Sequence, residues 1–375
     1  VENIPLQYAA RRDDASDTHS VVTQYEMHAV EDLGILKMDI LGLKNLSVIE
    51  SALKLIETRT GNLIDINAID IADSSVYKML AEGKTLGVFQ LEGGGMTKYL
   101  IELKPTNIED IIVMISLYRP GPMELIPQYI ARKQGLERIS YLHPTMEPIL
   151  KKTYGIMVYQ EQLMQVARAV AGFTLAQADT LRKAVGKKIK KLLDEQEEKF
   201  ISGVVQTTGN RKLGETIWGL IGPFARYAFN RSHAACYAVV AYQTAWLKHH
   251  YPLEFMTALM NGDEKDAERI AVFVSEAKKL GIHVLPPDVN LSNEGFTPVQ
   301  EAIRFGLRTI KNVGANVVTA LIDERRTNGP YSNLADILER VSSRDLNKKS
   351  LESLVKSGAF DSIGERNQML ANLEK

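Results

Sequence analysis

"FARYAFNRSHAACYAVVAYQTAWLKHHYPLEF", residues 224–255, is the stretch from which the fold is interpreted. Its first part is rich in aromatic and basic residues, and residues 238–247 are mostly apolar. This change predicts a buried helix whose first turn carries polar side chains. Unpaired N–H groups at a helix start favour anions, so Tyr227, Asn230, Arg231 and His233 could hold a nucleotide by its phosphates, base and sugar. A capped core helix with a salt bridge at its end is the alternative.

Composition sets limits on the class of protein. The chain has 375 residues, of which 45% are hydrophobic, and 45 basic and 46 acidic residues give a net charge of −1. Two or three packed domains are expected, and affinity for a polyanion must come from local clusters of charge. Cys236 is the single cysteine, which excludes an internal disulfide and a cysteine-based zinc cluster. No signal peptide or clear membrane span is found, so we expect a cytoplasmic protein without a membrane partner.

Hydrophobic periodicity predicts a mainly α chain with small β elements. Alternation at 34–41 predicts a strand, and it is followed by a helix over 43–59 that stops at Gly61. Helices of moderate length follow between Ser74 and Gly262, including 109–118, which ends at a Pro-Gly-Pro corner. A charged linker at 261–269, a hairpin around 296–307 and a helical tail complete the prediction.

The tail contains "GLRTIKNVGANVVTALIDERR", residues 306–326, which resembles a helix-hairpin-helix. A short apolar helix, a turn at 312–314 and a second helix would present backbone N–H groups to a phosphate. Such contacts hold duplex DNA without reading its sequence. A hairpin that only packs is an equal alternative. The candidate DNA-binding residues are Lys311, Asn312, Gly314 and Asn316.

Two other segments contain basic residues that could contact phosphate. Arg119 precedes a Pro-Gly-Pro corner that fixes where its guanidinium points, although such a corner is more often structural. The segment "TLRKAVGKKIKK", residues 180–191, is strongly basic and is followed at once by acidic residues. A run of this kind is usually a solvated helix face.

Seven segments together resemble one family, the alpha subunits of bacterial DNA polymerase III, which are the C-family replicative polymerases. The resemblance extends over nearly the whole chain. The segments are "LGVFQLEGGGM" (86–96), "SLYRPGPM" (116–123), "YGIMVYQEQLMQVA" (154–167), "LRKAVGKK" (181–188), "FARYAFNRSHAACYA" (224–238), "AYQTAWLKHHYPLEFMTALMN" (241–261) and "VLPPDVN" (284–290).

The resemblance implies a nucleotide site in the fingers of the polymerase. It also implies that "LKMDILGLKNL", residues 36–46, is a palm strand on which Asp39 is a catalytic carboxylate and a ligand of two Mg²⁺ ions. Its partners would be primer-template DNA, deoxynucleoside triphosphates and other replicase subunits, including the sliding clamp. The implied nucleotide-binding residues are Arg119, Arg182, Lys187, Lys188, Asn230, Arg231, Ser232 and His233.

The family's other two catalytic aspartates form an Asp-x-Asp pair, and this sequence contains no Asp-x-Asp. We therefore expect an internal part of a polymerase that is inactive alone, with the C-terminal part of the palm at 1–60, fingers at 61–262, and the end of the fingers, a linker and the helix-hairpin-helix region at 263–375. Two alternatives stay open. One is a split subunit that needs a partner chain with the missing pair, and the other is a non-enzymatic DNA-binding protein.

Overall fold

The computed structural model describes residues 4–9, 20–38, 42–187, 190–224, 227–341 and 346–373, with the side chains of Lys187, Lys190 and Lys191 left out. Two compact units are present, Val1–Leu43 and Lys44–Lys375.

The first unit contains a two-stranded antiparallel sheet and a short helix. Strand β1 (Leu6–Tyr8) pairs with β2 (Val21–Thr23), and helix α1 (Met27–Asp32) begins after Glu26. The predicted strand at 34–41 is wrong for the described residues 34–38, which form a turn and an irregular segment. A strand needs a neighbour for its backbone hydrogen bonds, and in the described part of this unit β1 and β2 pair with each other. Residues 39–41, and with them Asp39, lie outside the described residues.

The second unit is mainly helical, as the sequence predicts. Its first part contains α2 (Lys44–Thr60), α3 (Ser74–Ala81), α4 (Gly94–Leu103), α5 (Ile108–Leu117), α6 (Ile126–Lys133), α7 (Glu147–Leu150), α8 (Gln160–Ala171), α9 (Leu175–Lys187), α10 (Lys190–Thr208), α11 (Arg211–Phe224), α12 (Arg231–His250), α13 (Pro252–Gly262) and α14 (Ala267–Lys279). Its last part contains β3 (His283–Leu285), β4 (Thr297–Val299), β5 (Ala302–Arg304), α15 (Ala315–Asn328), α16 (Leu334–Arg340), α17 (Lys348–Ser357) and α18 (Arg366–Leu373).

Several element boundaries confirm the sequence-based prediction. Helix α2 stops at Gly61, whose φ of +73° an L side chain rarely adopts, and α5 ends before the Pro-Gly-Pro corner. The hairpin prediction is confirmed by β4 and β5, which pair antiparallel, while β3 lies parallel to β5. The predicted linker at 261–269 is shorter in the structure, because α13 extends to Gly262 and Asp266 caps α14 by accepting the Arg269 N–H.

Three apolar clusters contribute to the core of the described part of the second unit. The first joins α2, the end of α12, α13, α14 and the small sheet, the second joins α8 to α11, and the third lies entirely within 289–369. The first cluster includes residues on both sides of the domain boundaries that the sequence places at 60/61 and 262/263. Those boundaries stay predictions.

Helix α12 is the buried helix that residues 224–255 predict. Ala238, Ala241, Tyr242, Ala245 and Leu247 on its apolar part are almost fully enclosed. Its N-terminus is closed by a side-chain cap, which brings the polar residues of the same segment into one place.

A buried charge lies near the other end of α12. Lys248 is 1% exposed, and its ammonium donates to the Leu86 carbonyl at 2.8 Å and to Glu276 at 2.7 Å. Burial lowers the pKa of Lys248, and the Glu276 carboxylate opposes this. This pair ties the 86–96 segment to α12 and α14.

Candidate functional site

The N-terminus of α12 is capped and already holds an anion. The Asn230 side chain accepts the His233 N–H at 2.8 Å and donates to Glu161 at 3.1 Å. The Arg231 N–H also donates to the Glu161 carboxylate, at 3.0 and 3.2 Å. The anion expected at this helix start is therefore Glu161, from the first turn of α8.

Arg231 directs its guanidinium toward a second carboxylate. Its Nη2 donates to both oxygens of Glu109, at 2.6 and 2.8 Å, and the guanidinium carbon lies 5.8 Å from the centre of the Tyr159 ring. Lys152 donates to the same carboxylate at 3.0 Å. One carboxylate thus serves two cations, so this group of three side chains carries a net charge of +1.

The electrostatics of this group follow from its contacts. The hydrogen bond to Glu109 raises the pKa of Arg231. Burial acts to raise the pKa of Glu109, but the hydrogen bonds from Arg231 and Lys152 outweigh it, and the pKa is lowered. Both partners are therefore charged at neutral pH, and the Arg231 side chain keeps 37% exposure to solvent.

Arg119 fixes the loop that leads into α12. Its Nη2 donates to the Tyr227 carbonyl at 2.8 Å, its Nε donates to the Ser116 carbonyl at 3.1 Å, and its guanidinium lies 4.2 Å from the Phe229 ring centre. Burial lowers the pKa of Arg119. Phe229 also pairs with Tyr159 through a parallel bridge. The Arg119 guanidinium therefore contacts the loop through Nη2 and through the Phe229 ring, while its Nε binds the end of α5.

The basic segment of α9 lies beside the same loop. A Cβ built on Gly186 would come within 4.0 Å of the Gln160 side chain, and the Gln160 N–H donates to the Phe229 carbonyl. Arg182 pairs with Asp179 one turn earlier on α9. The Lys187 side chain and the whole of Lys188 lie outside the described residues.

Ser232 and His233 lie on the exposed side of the first turn of α12. The His233 ring packs on Tyr237, with centres 4.4 Å apart, and touches Phe229 edge-on at 5.6 Å. Segments around 119 and 159 thus contact one loop, 227–231, and the segment around 186 lies beside Gln160, which donates to the same loop.

The tail contains the second group of predicted residues. The first helix of the expected hairpin is only a single 3-10 turn, Leu307–Thr309, and the second is α15. Asn312, which stands where the motif usually has glycine, has a φ of +65°, and asparagine tolerates this left-handed conformation better than most residues. Gly314 precedes α15 with open space where a Cβ would lie. Lys311 and Asn316 are exposed beside it.

Comparisons with known proteins agree with this geometry. Residues 45–208 match the family model described as the bacterial DNA polymerase III alpha subunit finger domain, and residues 281–370 match a helix-hairpin-helix motif. The chain is 46% identical over 358 residues to the DNA polymerase III subunit alpha of Thermus aquaticus, covering 94% of this chain and 29% of that protein.

Further relatives repeat the same match. The corresponding subunit of Halalkalibacterium halodurans is 44% identical over 354 residues, covering 94% of this chain and 32% of that protein. That of Borreliella burgdorferi is 44% identical over 356 residues, covering 95% and 31%. The chain belongs to the family of bacterial DNA polymerase III alpha subunits. It spans about 30% of the length of these relatives.

The described residues do not form a metal site of the kind that a polymerase uses. Among the described residues, no group of three or more His, Cys, Asp or Glu side chains could hold a metal ion. The described side chains alone do not form a two-metal centre, and Asp39 lies outside the described residues. No helix in the described ranges is long and apolar enough to cross a membrane.

Sequence reasoning missed three residues of the group around Arg231. Glu109 and Glu161 each lie in the first turn of a helix, where acidic residues commonly serve the helix itself. Lys152 lies in a short basic pair, Lys151–Lys152. The sequence around each of these residues is typical of a surface helix or turn. Only the fold brings the three residues to Arg231.

Proposed function

We propose that this chain supplies the nucleotide-binding and duplex-binding parts of a replicative DNA polymerase. The observation that carries the proposal is the convergence of three segments, around 109, 119 and 159 and distant from it in sequence, on the loop 227–231. The loop is fixed from two sides, so the guanidinium of Arg231 is held in place before any ligand binds.

Arg231 is the proposed contact to the triphosphate of the incoming deoxynucleotide. Glu109 uses one of its nitrogens, which leaves Nε and Nη1 for phosphate oxygens. Lys152 adds a second cation on the far side of Glu109. In this proposal Glu109 positions Arg231.

The other predicted residues take different roles in the same site. Asn230 caps α12 and so supports Arg231 indirectly, while Arg119 supports the loop. Arg182, Lys187 and Lys188 on or after α9 are proposed to contact phosphates, and Ser232 to donate a hydroxyl. His233, fixed against Tyr237, is proposed to lie near the sugar, where a bulky ring excludes a 2′-hydroxyl.

The whole protein is proposed to be a DNA-directed DNA polymerase that adds deoxynucleotides to a primer 3′-hydroxyl. Mg²⁺ would stabilise charge on the transferring phosphate, and Asp39 is the proposed carboxylate of this chain for that centre. The Asp-x-Asp pair that the resemblance requires does not occur in this sequence. Primer-template DNA, deoxynucleotides, the sliding clamp and other replicase subunits are the proposed partners.

Binding of a fluorescent deoxynucleoside triphosphate to the purified chain tests the nucleotide site. Arg231→Ala should weaken binding at least tenfold, because a charge-assisted contact contributes about 1.5–3 kcal/mol. Arg211→Ala is the matched control, since Arg211 is exposed and pairs with Glu215 on the same helix. Equal affinity of the two variants for the triphosphate would refute the proposed role of Arg231.

A further inference from the structure

We propose that a pocket between the hairpin turn and α17 binds one phosphate of the DNA backbone, with Lys356 as its second cation. We call it the hairpin pocket, and its polar lining consists of Thr309, Lys311, Asn312, Ser353, Lys356 and Ser357. This inference rests on the proposed binding of duplex DNA by the tail and adds a second wall to that site.

The two walls of the hairpin pocket are joined by a hydrogen bond. The left-handed conformation of Asn312 turns its side chain toward α17, where its Nδ2 donates to the Ser353 hydroxyl at 3.2 Å. Lys356 and Ser357 follow Ser353 by three and four residues, so all three lie on one face of α17. The fold therefore places a lysine from each wall at the same opening.

The charge of the hairpin pocket suits an anion. Lys311 and Lys356 both line it, and among the described lining residues none is acidic. Lys356 is 63% exposed and has Glu352 as a partner on the same helix at 3.3 Å. Exposed pairs of this kind are weak and are screened by salt, so a phosphate can displace Glu352.

A buried hydroxyl gives independent support. The Thr309 Oγ1 is shielded from solvent, and no hydrogen-bond partner for it exists among the described residues. Leaving such a group unpaired is unfavourable, and a phosphate oxygen in the pocket would accept its proton. Thr309 and Asn312 are then donors around one phosphate, with a lysine on each side.

Salt-dependent binding of a short fluorescein-labelled duplex by the full chain tests this inference. The binding constant falls as salt rises, and each lost phosphate contact reduces the magnitude of the slope of log K against log salt by about 0.9. Lys356→Gln should make this slope shallower by about one, and it should weaken the binding of DNA duplexes of unrelated sequence to the same degree. Lys348→Gln is the control, because Lys348 lies on the same helix and does not line the pocket. It should leave the slope unchanged, and thermal unfolding checks that both variants fold.

The outcomes separate this inference from the proposed function. Gly314→Val is the reference variant, since its Cβ meets open space at the turn. If Gly314→Val lowers the slope and Lys356→Gln does not, the hairpin pocket inference is overturned and duplex binding by the tail stands. If the unmodified chain binds no duplex, the proposed function of the tail fails as well. Binding of inorganic phosphate that depends on Lys356, with an unchanged slope for DNA, would also overturn the inference.

Discussion

Replacing the buried Lys248 by methionine should destabilise the second unit strongly. Methionine has a similar length and leaves the core filled, so the change removes mainly the charge and its hydrogen bonds. Glu276, which is 7% exposed, then keeps only Lys279 as a cation, at 3.7 Å, and the Leu86 carbonyl loses its donor. Breaking a buried pair costs about 3–5 kcal/mol, and Lys279 compensates part of this, so we expect a loss of about 3 kcal/mol.

A double replacement should recover much of that loss. Lys248→Met with Glu276→Met removes both charges and leaves an apolar pair of similar volume, which is often close to neutral in stability. Only the Leu86 carbonyl stays without its donor, at about 1 kcal/mol. The double variant should therefore be about 2 kcal/mol more stable than Lys248→Met alone.

Urea unfolding followed by tryptophan fluorescence measures these values. The chain has two tryptophans, and Trp218→Phe leaves Trp246, which packs against the first apolar cluster, as the reporter. Lys279→Met is the control, because Lys279 is 73% exposed and its pair with Glu276 should contribute less than about 1 kcal/mol. A loss below about 1 kcal/mol for Lys248→Met, or strict additivity in the double variant, would refute this reasoning.

Three further predictions concern catalysis, sugar selection and acid stability. The purified chain should extend no primer in the presence of Mg²⁺, because the sequence lacks an Asp-x-Asp; extension by a preparation free of host polymerase contradicts this. In an intact polymerase, His233→Ala should relax discrimination against ribonucleotides more than it slows deoxynucleotide incorporation, and unchanged discrimination would place the sugar gate elsewhere. The Ser75 hydroxyl, with His250, lowers the pKa of Asp73 from 3.8 to about 2, so its stabilising effect is present above pH 3.8 and is lost as pH falls toward 2. Asp73→Asn should therefore reduce the loss of unfolding free energy as pH falls from 3.8 toward 2. The same pH dependence in the variant and the unmodified chain would contradict this role of Asp73.

Local signals in the sequence predicted much of the helical architecture. The stop at Gly61 and the corner after α5 both depend on residues a few positions apart. The helix-hairpin-helix motif was recognised for the same reason. Its first helix proved to be one 3-10 turn, because residues 307–309 are followed directly by the left-handed Asn312 turn.

Pairings across long stretches of sequence could not be predicted. Glu109 and Arg231 are 122 residues apart, and Glu161 and Arg231 are 70 apart, so no periodicity relates them. The sequence predicts burial only over residues 238–247, yet the packing of α14 also encloses Lys248. The strand expected at 34–41 depended on neighbouring strands, which alternation of side chains alone does not supply.

Glu161 at the start of α12 has a consequence for ligand selectivity. A bare helix terminus attracts chloride, sulfate and free orthophosphate alike, because its partial charge does not distinguish among small anions. Here that charge is already balanced within the chain, so a ligand must be recognised by the shape and spacing of the side chains around it. The proposed triphosphate ligand offers several phosphates to Arg231 and Lys152, whereas a small ion offers only one charged group, so the proposed site should discriminate against small competing anions.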